Sequence, residues 1–185
     1  MILLFRISYN AVIDAWAKSG ENESGYKAEI ILEKMEKLYA EGNKNMKPDT
    51  ISYSSVIDAW SKSGERGSAL RAFKILERME KEYIQGNKDV KPNRISYSAV
   101  IDSFANSGEK GSALKAQQIL ERMEILHLEK NRKDVAPNTI TYSAVINSWA
   151  KSGEFGSAQK AEKVLRKMEE LAMESDTDIK PNTIW

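Results

Sequence analysis

Residues 53–60 read Tyr-Ser-Ser-Val-Ile-Asp-Ala-Trp, and closely similar stretches stand at 9–16, 97–104 and 142–149. The four tyrosines that open these stretches are 44, 44 and 45 residues apart. A fixed period in this range indicates a stacked array, in which each unit buries its apolar side against its neighbours. We therefore expect function to lie on a surface that the units share, and not in one central pocket.

Each unit is predicted to fold as two helices, A and B. In the second unit the apolar side of helix A comprises Tyr53, Val56, Ile57 and Trp60, and that of helix B comprises Ala72, Ile75, Leu76 and Met79. Both sets have helical spacing. Gly64 follows helix A as a left-handed cap, and Pro92 ends the connector because proline cannot continue a helix.

The fold class that follows is all-α, an α-solenoid of four helix-turn-helix repeats that wind into a right-handed superhelix, with the A helices on the concave side. The repeats are placed at about 6–49, 50–93, 94–138 and 139–182, and 183–185 begin a truncated fifth repeat. We interpret the chain as a fragment of a longer array.

Composition limits the classes of function. A net charge of +1 argues against a protein that coats nucleic acid by charge alone, and the absence of cysteine excludes disulfides and thiolate metal sites. No run approaches the ~20 apolar residues of a membrane span. His127 is the one histidine, and there is no catalytic triad, phosphate-binding loop or metal-ligand cluster. We predict no enzymatic activity, cofactor, metal, small-molecule substrate or membrane contact.

The repeated frame resembles the pentatricopeptide repeat family. In the second unit the frame has Ile51, then the stretch from Tyr53 to Trp60, then Ser63-Gly64. Ala72 and Met79 follow in helix B, and Pro92-Asn93 closes the unit. The resemblance implies an RNA-binding protein of organellar RNA metabolism, with single-stranded RNA as partner and a mitochondrion or plastid as location.

The units are longer than the usual unit of that family. The extra residues fall in the turn between the helices, near Glu65 to Ala69, and at the end of helix B and its connector, near Tyr83 to Val90. Because both places lie away from helix A, a surface for RNA can persist while the spacing of the units changes.

The resemblance also implies which side chains meet a base. The second residue of each repeat would sandwich the base: Ile7, Ile51, Ile95 and Ile140. The fifth and the last residues would read its edge: Asn10 with Asp49, Ser54 with Asn93, Ser98 with Asn138, and Ser143 with Asn182. A carboxylate only accepts hydrogen bonds and so suits uracil or guanine, whereas a carboxamide also donates and so suits adenine or cytosine. The resemblance further implies that Asn at the fifth position goes with a pyrimidine and Ser with a purine, and together these pairs favour 5′-UAAA-3′.

Each of these residues also has a purely structural interpretation. An Asn or Asp after proline is a good helix N-cap. The serines at the fifth position are also interpretable as small, solvated residues, and the isoleucines as packing between repeats. Lys18, Lys62 and Lys151 are expected to contact phosphates, although lysines late in a helix are commonplace.

A protein-binding scaffold of the tetratricopeptide type is the alternative function. Its Trp-x-x-Leu-Gly opening is absent, but a concave helical surface also suits a peptide, and the long outer B helices offer a place for protein partners. A preference for single-stranded RNA over peptides would separate the two functions.

Overall fold

The computed structural model describes residues 4–173 and 179, and within them lie eight α-helices and no β-strand. The helices are α1 (Leu4–Ser19), α2 (Ser24–Ala40), α3 (Thr50–Lys62), α4 (Ser68–Ile84), α5 (Arg94–Ser107), α6 (Ser112–Leu128), α7 (Thr139–Ser152) and α8 (Ser157–Met173). Odd-numbered helices are the predicted A helices and even-numbered helices the B helices. The predicted all-α architecture of four helix pairs is confirmed.

The chain forms two compact units, Met1–Ser103 and Phe104–Trp185, with the division inside α5. In the first unit α3 packs against α2 and α4, and α1 packs against α2 and α3. In the second unit α7 packs against α6 and α8. An A helix such as α3 or α7 therefore contacts the B helix of its own repeat and that of the repeat before it.

The core is made of the residues that recur at helical spacing. All eight predicted core positions of the second repeat are buried, from Tyr53 to Met79. The last repeat differs, because Val164 and Met168 are buried while Leu165 is 41% exposed. Helix α7 is the helix that packs against α8 in the second unit, so the side of α8 that carries Leu165 faces solvent.

Glycines end the A helices as predicted. Gly20, Gly64, Gly108 and Gly153 all have φ between 61° and 65°, the left-handed region in which a side chain is strained. The backbone then turns within a few residues into helix B, which places the two helices of a repeat side by side.

The tyrosines of α3 and α7 bond to the preceding B helix. The hydroxyl of Tyr53 donates to Glu36 Oε1 at 2.6 Å, and that of Tyr142 donates to Glu124 Oε1 at 2.5 Å. A basic residue of the next B helix pairs with the same carboxylates, Arg78 with Glu36 and Lys167 with Glu124. The periodic tyrosine thus joins neighbouring repeats by a polar contact as well as by apolar packing.

The lengthened connectors also contact one another. Met46, Val90 and Val135 in these segments are buried, and Lys47 Nζ lies 2.6 Å from Asp89 Oδ2 in the next connector. Thr50, the first residue of α3, accepts the N–H of Lys91 at 2.9 Å. These contacts fix the start of α3 relative to the end of the second repeat. Residues predicted to meet a base lie at both places.

Candidate functional site

An open cleft of about 360 Å³ lies in the first unit, between the start of α3 and the start of α5. Its lining includes Ile51, Ser54, Asn93 and Ile95. These are the second, fifth and last residues of the second repeat, together with the second residue of the third repeat. The structure therefore brings together the three side chains predicted to meet one base, and it adds the second residue of the next repeat to the same cleft.

The isoleucines at the second position are exposed. Ile7 is 54% exposed, Ile51 61%, Ile95 70% and Ile140 65%. Their interpretation as packing between repeats is therefore wrong, since a packed isoleucine would be shielded from water. At the cleft, Ile51 and Ile95 both line the open space with exposed apolar surface, on which a flat ring can stack.

The residues at the last position cap the A helices. The side-chain oxygen of Asp49 accepts the N–H of Ser52 at 3.0 Å, and that of Asn138 accepts the N–H of Thr141 at 3.1 Å. Asn93 does the same with Ser96 at 3.2 Å. The capping interpretation is confirmed at these three positions. Because the cap of an asparagine uses Oδ1, its Nδ2 amide group is left outside the cap.

The carboxylate of Asp49 has two further partners besides the helix cap. Asn10 Nδ2 donates to Asp49 Oδ1 at 3.2 Å, and Arg6 Nε lies 3.3 Å from Asp49 Oδ2. The fifth and last residues of the first repeat are therefore in direct contact. A carboxylate offers about four acceptor positions, and the N–H of Ser52, Asn10 and Arg6 take three of them, so one is left for a ring N–H when the Ser52 hydroxyl donates to Asn10.

The structure gives less information on the other residues that were predicted to read bases. Ser54 Oγ lies 2.9 Å from Ser96 Oγ, and Ser143 is exposed on α7. Ser98 belongs to the first unit and Asn138 to the second. Asn182, the partner of Ser143, lies outside the described residues.

Comparison with known proteins adds evidence that is independent of this geometry. The model of the Pentatricopeptide repeat domain matches residues 38–107 and 86–152, and the model of the PPR repeat matches residues 7–39 and 140–172. The chain belongs to the pentatricopeptide repeat family. Members of this family are in general RNA-binding, non-enzymatic helical-repeat proteins and are commonly organellar. No curated protein and no solved structure matches the chain at a significant level of similarity.

The lysines predicted to contact RNA in this pentatricopeptide repeat array differ in their surroundings. Lys18 pairs with Asp14 at 2.7 Å and Lys62 with Asp58 at 2.7 Å, each one helical turn away. Hydrogen bonding to Asp14 raises the pKa of Lys18. Lys151 is exposed and has Asn147 in place of the carboxylate. Two of the three ammonium groups are thus neutralised by exposed ion pairs, which are weak.

Sequence reasoning missed the third residue of the repeat. Ser52 and Ser96 are fully buried, and their hydroxyls contact the residues predicted to read bases. A signal was present, since Ser8, Ser52, Ser96 and Thr141 place a hydroxyl at the same point of all four repeats. Arg6 was missed as well, because its partner Asp49 lies 43 residues further along the chain.

The remaining polar groups do not form a second centre in the described part of the chain. Residues 4–173 and 179 contain no group of three or more His, Cys, Asp and Glu residues arranged to hold a metal ion. His127 lies near the end of α6 and is partly buried. Among the same residues, no helix is both long enough and apolar enough to cross a membrane.

Proposed function

We propose that this chain binds single-stranded RNA along its A helices, one repeat per base, in the RNA metabolism of a mitochondrion or plastid. The observation that carries the proposal is the cleft lined by Ile51, Ser54, Asn93 and Ile95. Two exposed apolar side chains face a space whose remaining lining includes the hydroxyl of Ser54, the carboxamide of Asn93 and the carboxylate of Asp58. This combination suits the flat faces and polar edge of a nucleobase.

The proposed preference is 5′-UAAA-3′. Asp49 accepts from the ring N–H of uracil or guanine, and the family's use of Asn at the fifth position for pyrimidines makes the base at Asn10 uracil. Asn93, Asn138 and Asn182 donate to the bare ring nitrogen of adenine or cytosine, and the family's use of Ser at the fifth position for purines makes these bases adenine. The caps support this assignment at Asn93 and Asn138, since each holds the carbonyl oxygen and leaves the amide donor for the base.

Affinity for RNA rests on stacking and weak phosphate contacts. A stacked base contributes ~1–3 kcal/mol, and ordering a flexible strand offsets much of the sum over four bases. We therefore expect dissociation constants in the micromolar range or weaker. Lys18, Lys62 and Lys151 add a salt-dependent contribution from the phosphates.

Competition binding tests the preference. Labelled RNA carrying UAAA in an unstructured strand is displaced by strands that carry UGGG or each single-base change. Wild-type protein should prefer UAAA, and a preference for UGGG would refute the assignment. Replacing Asn93, Asn138 and Asn182 together by Asp should move the preference from adenine toward guanine, with folding retained because aspartate also caps helices.

A matched control isolates the role of position. Asn22→Asp makes the same chemical change at an exposed residue of the first A–B turn. This variant should keep the wild-type preference. If the triple variant also keeps that preference, these side chains do not touch bases.

A protein-binding role has support from one observation. Ile84, Leu128 and Met173, the last residues of three B helices, are 82%, 71% and 84% exposed. Such apolar surface suits a protein partner on the outer helices. Replacing the three residues by Gln should leave RNA binding unchanged and abolish capture of any partner that docks there.

A further inference from the structure

The third residue of the repeat bridges the two residues that are proposed to read a base. Ser52 Oγ donates to Asn10 Oδ1 at 2.7 Å, and it also lies 3.1 Å from Asp49 Oδ1. The backbone N–H of Asp49 donates to the same hydroxyl at 3.1 Å. Asn10 is the fifth residue and Asp49 the last residue of the first repeat, and Ser52 belongs to the next repeat.

The same arrangement recurs one repeat later. Ser96 Oγ lies 2.9 Å from Ser54 Oγ and donates to Asn93 Oδ1 at 3.3 Å. Both bridging serines are 0% exposed, so neither touches RNA. The bridge thus occurs at two sites whose reading residues differ, Asn–Asp and Ser–Asn.

The carboxylate of Asp49 decides which way the amide of Asn10 points, because it only accepts, and the hydroxyl of Ser52 holds the amide oxygen in that position. With Nδ2 donating to Asp49 Oδ1, the carbonyl oxygen of Asn10 faces the hydroxyl of Ser52. The reverse orientation would place that carbonyl oxygen against a carboxylate and lose both hydrogen bonds. The remaining N–H and lone pair of Asn10 are therefore presented in one arrangement only.

The bridge also determines what Ser54 offers. Either hydroxyl can be the donor between Ser54 and Ser96. When Ser96 gives its one proton to Asn93 Oδ1, the proton of Ser54 goes to Ser96 and Ser54 offers the base only an acceptor. Without the hydroxyl of Ser96, Ser54 can rotate and act as a donor or an acceptor. The hydroxyl of Ser96 thus restricts the hydrogen-bond pattern at the cleft.

We propose that Ser52 and Ser96 are positioning residues that set base specificity, Ser52 at the first base and Ser96 at the second, without contacting RNA. This inference rests on the proposed RNA-binding function. Loss of a hydroxyl should relax the choice at one base while leaving the other bases unaffected.

The test measures competition by RNAs that differ from UAAA at a single base. Ser96→Ala should reduce discrimination at the second base by about three- to tenfold, the effect of one lost hydrogen bond, and leave the first base unchanged. Ser52→Ala should do the same at the first base only. Ser96→Thr is the matched control, since the fourth repeat carries Thr141 there and Thr141 makes the same cap.

The outcomes separate the two proposals. A merely structural serine would weaken binding of all RNAs alike, and that result, or unchanged discrimination in both alanine variants, overturns the positioning role while RNA binding stands. If the wild type itself fails to discriminate among the RNAs, the proposed function fails and this inference with it. Should Ser96→Ala not fold, Ser52→Ala decides the question at the first base.

Discussion

Glu65 Oε1 accepts a hydrogen bond of 2.7 Å from the backbone N–H of Glu23, 42 residues earlier in the chain. Glu23 precedes α2 and has φ 62°, and Glu65 lies in the turn between α3 and α4. In the second unit Glu154 Oε1 accepts the N–H of Gly111 in the same way at 2.8 Å. The extra residues of the A–B turn thus connect one repeat to the B helix of the repeat before it.

Glu65→Ala should lower the free energy of unfolding by about 1 kcal/mol, because the N–H of Glu23 loses a charged acceptor at a helix N-terminus. Chemical denaturation monitored by circular dichroism measures the loss. Glu21→Ala is the control, since Glu21 occupies the same place in the first repeat and is exposed. An equal loss in both variants would contradict a role for the contact between repeats.

Gly25→Ala tests the close approach of the α2 backbone to the ring of Trp60. A Cβ at Gly25 would lie 2.4 Å from Cε3 of the Trp60 ring, so the ring or the helix must move. Alanine in an open helical site would stabilise the helix by about 1 kcal/mol, but overpacking of this kind costs about 1–3 kcal/mol. We expect a net loss, measured by thermal unfolding.

Relief of the clash provides the control for that loss. Combining Gly25→Ala with Trp60→Phe removes part of the ring, and it should recover stability relative to the sum of the two single changes. Strict additivity of the two changes would show that the alanine does not meet the ring.

Stability at alkaline pH should depend on the tyrosines that join repeats. Burial raises the pKa of Tyr53, and burial together with the hydrogen bond to Glu124 raises that of Tyr142. Because each folded pKa exceeds the unfolded value of about 10, their stabilising contribution is present below pH 10 and is lost as pH rises further.

The double variant Tyr53→Phe and Tyr142→Phe should therefore lose about 1–3 kcal/mol at pH 7 and show a smaller further loss above pH 10. Tyr26→Phe, at a site that is 54% exposed, is the control. Parallel pH profiles for the double variant and the wild type would contradict the assignment.

Asp102→Asn should stabilise the protein at neutral pH. Burial raises the pKa of the Asp102 carboxyl, so its charged form is penalised in the folded state. Proton binding by Asp102 therefore stabilises the folded state. This stabilisation is fully present below the unfolded pKa of about 4, and it is lost as pH rises through the folded pKa.

We expect the melting temperature of Asp102→Asn to rise by about 2 °C at pH 7, with no gain below pH 4. The fourth repeat already carries Asn147 at this place. Asp14→Asn, which breaks an exposed pair with Lys18, is the control and should give no such gain. A gain that is the same at both pH values would rule out the titration of Asp102 as its cause.

Asp58→Asn should strengthen RNA binding. Asp58 lines the cleft and pairs with Lys62 at 2.7 Å, so the neutral side chain releases an ammonium group beside the proposed path of the strand. We expect binding several-fold tighter at low salt and a steeper dependence on salt concentration, measured by fluorescence anisotropy.

The matched control changes an ion pair of the same kind elsewhere. Glu162→Gln breaks the pair of Glu162 with Arg166 one turn later on α8, where both side chains are exposed. This change should leave RNA affinity nearly unaltered. An equal effect of both variants would show that net charge alone, and not the position of Lys62, governs binding.

The sequence by itself determined the helices, their order and their buried sides. The period of 44 or 45 residues, the spacing from Tyr53 to Trp60 and the glycine after each A helix depend on local geometry, which a short stretch of chain sets. The same periodicity showed that Ile51, Ser54 and Asn93 each stand at a position that recurs in every repeat. It could not show that these three side chains face one cleft.

Only the tertiary structure decided how those residues meet. Ser52 joins Asn10 to Asp49, and Glu65 reaches Glu23, across separations of about one repeat. Such contacts depend on how one helix pair stacks on the next. The sequence pattern within one repeat does not specify that stacking, because the stacking depends on side chains of two repeats acting together.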